Sequence, residues 1–230
     1  MRYAFPPQAK FGKVIPKKKI YEHASVSASL KEKFVTQIEK IVWSYKLAEE
    51  TINVPATPKV PEIEIFDIYL KGDTVDEVLI KAIDRAVPLP IFFYIHSKEG
   101  RRKAKAAYKR PSEADSRKWV IEGYFESEWF DEDADTAPLP VAVDLEKLYA
   151  QMIKALMPQE LTQSVWTDDI EAEVARAKRI QTKEREYRHL KAKRDKEKQF
   201  NKKVKLNEAL HKLKEEIEML QYATKEEPKR

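Results

Sequence analysis

The stretch Glu62-Ile63-Glu64-Ile65-Phe66-Asp67-Ile68-Tyr69-Leu70, followed by Thr74 to Ala86 and then by Ile91-Phe92-Phe93-Tyr94-Ile95, sets the fold class. The first segment is rich in Ile, Phe and Tyr and reads as a strand. Its alternation slips at Ile65–Phe66, which fits either a bulge or burial of both faces. Next, Thr74 stands where a cap belongs. Val75, Val78, Leu79, Ala82, Ile83 and Ala86 follow at helical spacing, until Pro88 ends the helix. The apolar run after Pro90 is too short for a helix and fits a strand buried on both faces. Strand, helix, strand in this order predicts a right-handed parallel crossover.

Working outward, Gly100 marks a turn into a strand over Arg102–Lys109. Ala104, Ala106 and Tyr108 take one side, and Lys103, Lys105 and Lys109 mostly take a wet, basic one. Trp119 to Phe125 alternates as a fourth strand. Asp144–Leu156 is a helix with Leu145, Leu148, Tyr149, Met152, Ile153 and Leu156 inward. Upstream, Pro6, Pro7 and Pro16 argue for an extended arm. A helix capped by Ser29 carries Leu30, Phe34, Ile38, Ile41, Val42 and Tyr45, and it stops before Pro55. The expected fold is mixed α/β (α+β): a small mixed four-stranded sheet flanked by helices, over residues 1–160.

Residues 161–230 form the expected tail, a long charged helical or coiled-coil element. Gln159 to Glu227 contains neither Gly nor Pro. Leu206, Leu210, Leu213, Ile217 and Leu220 are spaced 4, 3, 4, 3, an assembly seam of about two heptads. Asn201 stands where a new helix would be capped, after a break near Gln199–Phe200. The tail is therefore either a hairpin or one long helix pairing with another chain, which would make a homodimer.

Charge is segregated. The chain of 230 residues has a net charge of +5 and 36% charged residues. Residues 121–175 hold 2 Lys/Arg against 14 Asp/Glu, and residues 176–205 hold 14 against 4. Such blocks create local potentials that the net charge conceals. With no cysteine, disulfides, thiolate metal sites and a Cys nucleophile are excluded. No apolar run approaches ~18 residues, so no membrane span is expected. The N-terminal residues lack an apolar signal core, and a soluble cytoplasmic protein is the expectation.

Chemistry-bearing motifs are few. With only 4 Gly, no phosphate-cradling loop is available, and no nucleophile elbow occurs. His23, His96, His189 and His211 are scattered. Glu64, Asp67, Lys71 and Glu122 are the residues on which a Mg²⁺-dependent nuclease would draw. However, Glu64 and Asp67 are an odd number apart and face opposite sides of a regular strand. We therefore expect no catalytic residue, no metal and no cofactor. The distinctive feature is the basic helix, where Arg176, Arg179, Lys183, Lys191, Arg194 and Lys198 form stripes suited to phosphate contacts. Lys103, Lys105 and Lys109 would add a second track. Few Asn or Gln flank these cations, so base readout is not expected.

Several stretches resemble a bacterial family known as domain of unknown function four-three-nine-one. They are Ile15-Pro16-Lys17-Lys18-Lys19-Ile20-Tyr21-Glu22-His23, Lys33 to Trp43, Thr51-Ile52-Asn53-Val54-Pro55-Ala56, Ile63 to Ile68, Pro90-Ile91-Phe92-Phe93 and Lys198 to Val204. The resemblance implies a gene neighbourhood of helicases and DNA methyltransferases in restriction-like, phage-defence clusters, and hence a role near DNA. It assigns no catalytic residue. The function expected is a non-catalytic accessory subunit of such a complex. Its partner would be a helicase or DNA methyltransferase subunit, and DNA would be held by phosphate contacts. The alternatives are a metal-dependent nuclease component and a coiled-coil assembly protein that touches no nucleic acid.

The seam generates one test. Placing Glu at both Leu213 and Ile217 puts two charges into an apolar stripe. The double variant should melt lower or show reduced mass by light scattering.

Overall fold

The computed structural model describes residues 2–115, 118–158 and 169–222. The chain divides into two compact units, Met1–Leu156 and Met157–Arg230. The boundary expected at residues 160/161 lies outside the described residues.

The first unit runs β1 (Arg2–Ala4), a 3-10 turn (Pro7–Ala9), β2 (Lys10–Val14), α1 (Lys17–Ala24), α2 (Ala28–Gln37), β3 (Ile38–Leu47) and α3 (Glu49–Ile52). It continues with β4 (Ile63–Leu70), α4 (Glu77–Ala86), β5 (Ile91–His96), β6 (Arg101–Pro111), β7 (Trp119–Glu126), β8 (Phe130–Asp131), β9 (Thr136–Pro138) and α5 (Leu145–Lys154). The main sheet has 7 strands in the order β2-β3-β4-β5-β6-β7, with β8 paired to β6. Strands β1 and β9 pair in parallel as a separate ribbon. Within the main sheet β4 and β5 are parallel and joined by α4; every other pairing is antiparallel.

The mixed sheet and its crossover were expected, but the strand count was not. The larger number has two sources. The Pro-punctuated arm is not merely extended; it supplies β1 and β2. The helix expected over Leu30–Tyr45 ends at Gln37, and Ile38–Leu47 is a strand instead. Ile38, Ile41, Val42, Trp43 and Tyr45 are β-branched or aromatic and suit a pleated surface. A bulge between Ile38 and Lys40 explains the misreading. It brings Ile38 and Ile41 into the same core although they are an odd number apart, so a strand imitates helical spacing. The helix caps also move. Ser27 rather than Ser29 accepts the Leu30 N–H, at 3.3 Å. Helix α4 starts after Asp76 rather than Thr74.

Strand β4 is buried on both faces, one of the two options its slipped alternation left open. Phe66 and Ile68 join Phe34, Leu79, Ile83 and Phe93 in the core beneath α1, α2 and α4. On the opposite face the Tyr149 hydroxyl, from α5, donates to the Ala107 carbonyl and accepts the Lys109 N–H at 2.9 Å. The Tyr149 and Tyr108 rings stack with centroids 5.9 Å apart.

The basic side of β6 is not wet. Helix α4 lies over it, and Lys105 and Lys109 are only 4% and 2% exposed. Lys105 Nζ lies 3.0 Å from Glu77 and 2.8 Å from Glu126. Lys109 Nζ donates to the carbonyls of Asp84, Val87 and Leu89 at 2.7–2.9 Å, and it pairs with Asp84 Oδ1 at 2.9 Å. The Tyr124 hydroxyl donates to Asp84 Oδ2 at 2.7 Å. Burial pushes the Asp84 carboxyl up and the Lys109 ammonium down, and each opposes the other's shift. Lys109 thus supplies a cation to the carbonyl end of α4, where the helix dipole favours one.

In the second unit Asp169 caps α6 (Ile170–Lys196) by accepting the Ala172 N–H at 3.1 Å. After a short turn α7 (Phe200–Tyr222) begins, at the break expected near Gln199–Phe200. The two helices form an antiparallel hairpin, tied by a Lys183–Glu216 ion pair and by Arg194 to Asn207 at 3.5 Å. In the seam, Leu210 is buried and Leu206, Leu213, Ile217 and Leu220 are half-buried. Among the described residues no helix is long and apolar enough to cross a membrane.

Removing one partner of a buried pair leaves the other charge uncompensated, typically a loss of about 3–5 kcal/mol. Lys109→Met should therefore lower the urea-unfolding free energy by about that amount. Lys118→Met, at an exposed side chain, should leave it unchanged within about 0.5 kcal/mol.

Candidate functional site

The hairpin decides where the tail's charges fall. Arg179, Lys191 and Lys198 are exposed; Arg176, Lys183 and Arg194 are half-buried. Lys183 is engaged with Glu216, and Arg194 holds Asp195 at 2.6 Å. At 1.5 Å per residue α6 is about 40 Å long, so its two ends are well separated. The antiparallel return lays the first turn of α7 beside the last turns of α6. Residues 185–205 hold 10 Lys/Arg against 3 Asp/Glu, gathered at this one tip. Arg185, Arg188, Lys193, Lys196, Lys202, Lys203 and Lys205 are exposed there as well. Lys202 and Lys203 sit in the first turn of α7, at the positive end of its dipole, which raises the tip potential further. In the turn, Glu197 Oε1 accepts the N–H groups of Lys198 and Gln199 at 2.9 Å each, which holds its carboxyl below the usual range.

The second track does not form. Lys105 and Lys109 are consumed in buried pairs, as described above. Lys103 pairs with Glu126 at 2.9 Å and lies over the Trp129 ring at 5.2 Å.

The sheet face opposite α4 carries a polar cluster. Asp67 accepts from the Ser44 hydroxyl and lies 2.5 Å from His96 Nε2. The His96 ring stacks on Tyr69 with centroids 4.3 Å apart, and Lys40 covers the Tyr69 ring at 4.1 Å. His96 Nδ1 is 3.4 Å from Glu132, which also takes Arg102 at 3.1 Å. Asp67 stands between Ser44 and His96. The imidazole is therefore not placed to take the Ser44 proton, and the trio lacks the order that activates a serine nucleophile.

The family model described as Domain of unknown function (DUF4391) matches residues 4–217. The chain belongs to this family. Comparisons with curated proteins and with solved structures return no match. The match runs from β1 into α7, so it takes in both compact units.

In this DUF4391 chain the acids considered for a nuclease do not converge. Glu64 lies on the helix-covered side with Phe66, whereas Asp67 faces His96. Glu122 pairs with Arg110 at 3.0 Å. His23, His189 and His211 are exposed on α1, α6 and α7. Among the described residues no group of three His, Asp or Glu is arranged to hold a metal ion. Sequence reasoning missed the Asp67–His96 pair. Its signal was present: two parallel neighbouring strands each carry polar or aromatic residues at alternate positions, Asp67 and Tyr69 on one, Tyr94 and His96 on the other.

The Lys105 cluster makes a pH test. Hydrogen bonds from Lys81 and Lys105 hold the Glu77 carboxyl down at about 2. A depressed carboxylate stabilises the fold above its unfolded value, and that contribution fades as pH falls through the folded one. The stability gap between wild type and Glu77→Gln should be full at neutral pH. It should shrink from about pH 4.5 and vanish near pH 2, as read by denaturant unfolding across that range.

Proposed function

We propose that this DUF4391 protein is a non-catalytic accessory subunit of a DNA-targeting defence complex. The sheet unit docks on a helicase or DNA methyltransferase subunit in the cytoplasm, and the hairpin holds the DNA backbone. The observation that supports the DNA contact is the hairpin tip, where the end of α6 and the start of α7 bring their cations together. Neutralising phosphates releases condensed counterions, so such a tip binds by charge and not by sequence. The partner class follows from the family resemblance.

A salt titration of a labelled duplex with the full chain tests the contact. If five or six phosphates are engaged, log K against log salt should slope at about −5 and be the same for unrelated sequences. Reversing Arg188, Lys191, Lys198 and Lys202 to Glu should remove most of the binding and leave the melting of the sheet unit unchanged. Equal affinity of wild type and this variant overturns the hairpin contact. Mg²⁺-dependent cleavage of DNA that is lost in Asp67→Ala overturns the non-catalytic part.

A further inference from the structure

Between α1, the sheet and the segment after α4 lies a cavity of about 240 Å³. Ile15, Ile20, Trp43, Phe66, Ala86 and Leu89 give it apolar walls. One wall residue is out of character. Glu64 is 1% exposed, and neither of its carboxyl oxygens has a well-aligned hydrogen-bond partner. The buried indole N–H of Trp43, on the same wall, also lacks a well-aligned partner, although it lies close enough to Glu64 to act on the carboxyl. Buried polar groups are nearly always paired, and an unpaired one is costly to the fold. Exposed Lys19 and His23, from α1, mark the mouth. At the back, Lys109 holds the carbonyls of Val87 and Leu89 and so fixes that wall.

We propose that this cavity binds a nucleobase, which Glu64 pairs at two points through a ring edge that offers an adjacent donor and acceptor. Size agrees: an apolar cavity of ~150 Å³ accepts benzene, so this one has room for a heterocyclic base. Trp43 and Phe66 offer aromatic surface for stacking. At the mouth Lys19, which lies 3.9 Å from Glu22, is within reach of a phosphate attached to the base.

The charged groups around Glu64 are Glu62 just before β4, Lys46 opposite on β3, Lys19 with its partner Glu22 and His23 on α1, and the Asp84–Lys109 pair behind the α4 segment. Burial, reinforced by Glu62, pushes the Glu64 carboxyl up to about 8, against the smaller pulls of Trp43 and Lys46. At neutral pH the group is a neutral acid, with an O–H donor beside a C=O acceptor. Two hydrogen bonds to a neutral base then satisfy it without burying a net charge.

The lining residues all belong to the sheet unit, and free bases carry no phosphate, so the free-base arms of the test are blind to the hairpin tip. Calorimetry with the full chain should show adenine bound alike by wild type and Glu64→Gln at pH 7. Glutamine also presents a donor beside an acceptor. Glu64→Leu should bind adenine at least tenfold more weakly while melting as high as wild type or higher. 9-Methylpurine, which keeps the ring acceptors but has no N–H donor, should lose less affinity than adenine does on going from wild type to Glu64→Leu. Wild-type affinity should fall as pH climbs past about 8, where the acid loses its donor, and Glu64→Gln should stay flat. Adenosine monophosphate and a short oligoadenylate strand, compared in the chain with Arg188, Lys191, Lys198 and Lys202 reversed to Glu, separate the sources: the tighter of the two shows whether the base arrives free or within a strand. No binding of adenine by wild type overturns the proposal, as does equal binding by Glu64→Leu. Benzamidine binding that strengthens with pH and disappears in Glu64→Gln would also overturn it, by revealing a cation site instead.

Discussion

Lys109 is the constraint around which the sheet unit is arranged. An ammonium this deeply buried must be paired and hydrogen-bonded inside the protein. It finds an acid and three carbonyls, all supplied by α4 and the residues just after it. That fixes the crossover helix against β6, two strands beyond the strand that launched it. The same contacts hold the Val87–Leu89 segment in place, and that segment is one wall of the Glu64 cavity.

The match between helix and strand is metric. Glu77 and Asp84 are seven residues apart, two turns of α4 on one face and about 10 Å along its axis. Lys105 and Lys109 are four residues apart on β6, about 13 Å. The two spacings are close enough for both lysines to reach their acids, with the β6 register shift at Tyr108/Lys109 taking up part of the difference. The pairing therefore sets how far α4 can slide along the sheet.

This is also where the sequence was readable and where it was not. The crossover, the doubly buried β5, the alternating β6 and the amphipathic α5 follow from local pattern, because each buries a continuous apolar face. The lysines of β6 read as solvent-facing because a strand's own alternation says nothing about acids on a helix packed across it. The heptad spacing of Glu77 and Asp84 on the expected helix was the available sign. Strand β3 was misread for a different reason: its bulge restores to one face residues that simple alternation would separate. The Glu64–Asp67 parity needed no such context. An odd interval on a strand separates two side chains, and here it sends one acid into an apolar cavity and the other to a histidine. As for the proposed tail contacts, the stripes on α6 were visible along the chain, but only the antiparallel return joins them to Lys202, Lys203 and Lys205.

The hairpin accumulates charge that its own fold does not relieve. The basic end of α6 suits the negative end of that helix's dipole, but Lys202 and Lys203 at the start of α7 meet a positive one. Antiparallel packing then sets these two basic ends side by side. The stabilising contacts lie further down: Leu210 is buried, its seam neighbours are half-buried, and Lys183 pairs with Glu216. At the tip, Glu197 and Asp195 answer only part of the charge. Self-repulsion of this kind disfavours the compact hairpin and would be reduced by a bound anion, so the proposed binding would gain that relief as well as its direct contacts. A polyanion that spans the tip relieves the most, because it meets cations from both helices at once. That is the physical reason for preferring a nucleic-acid backbone to a single small anion as the proposed partner of this surface.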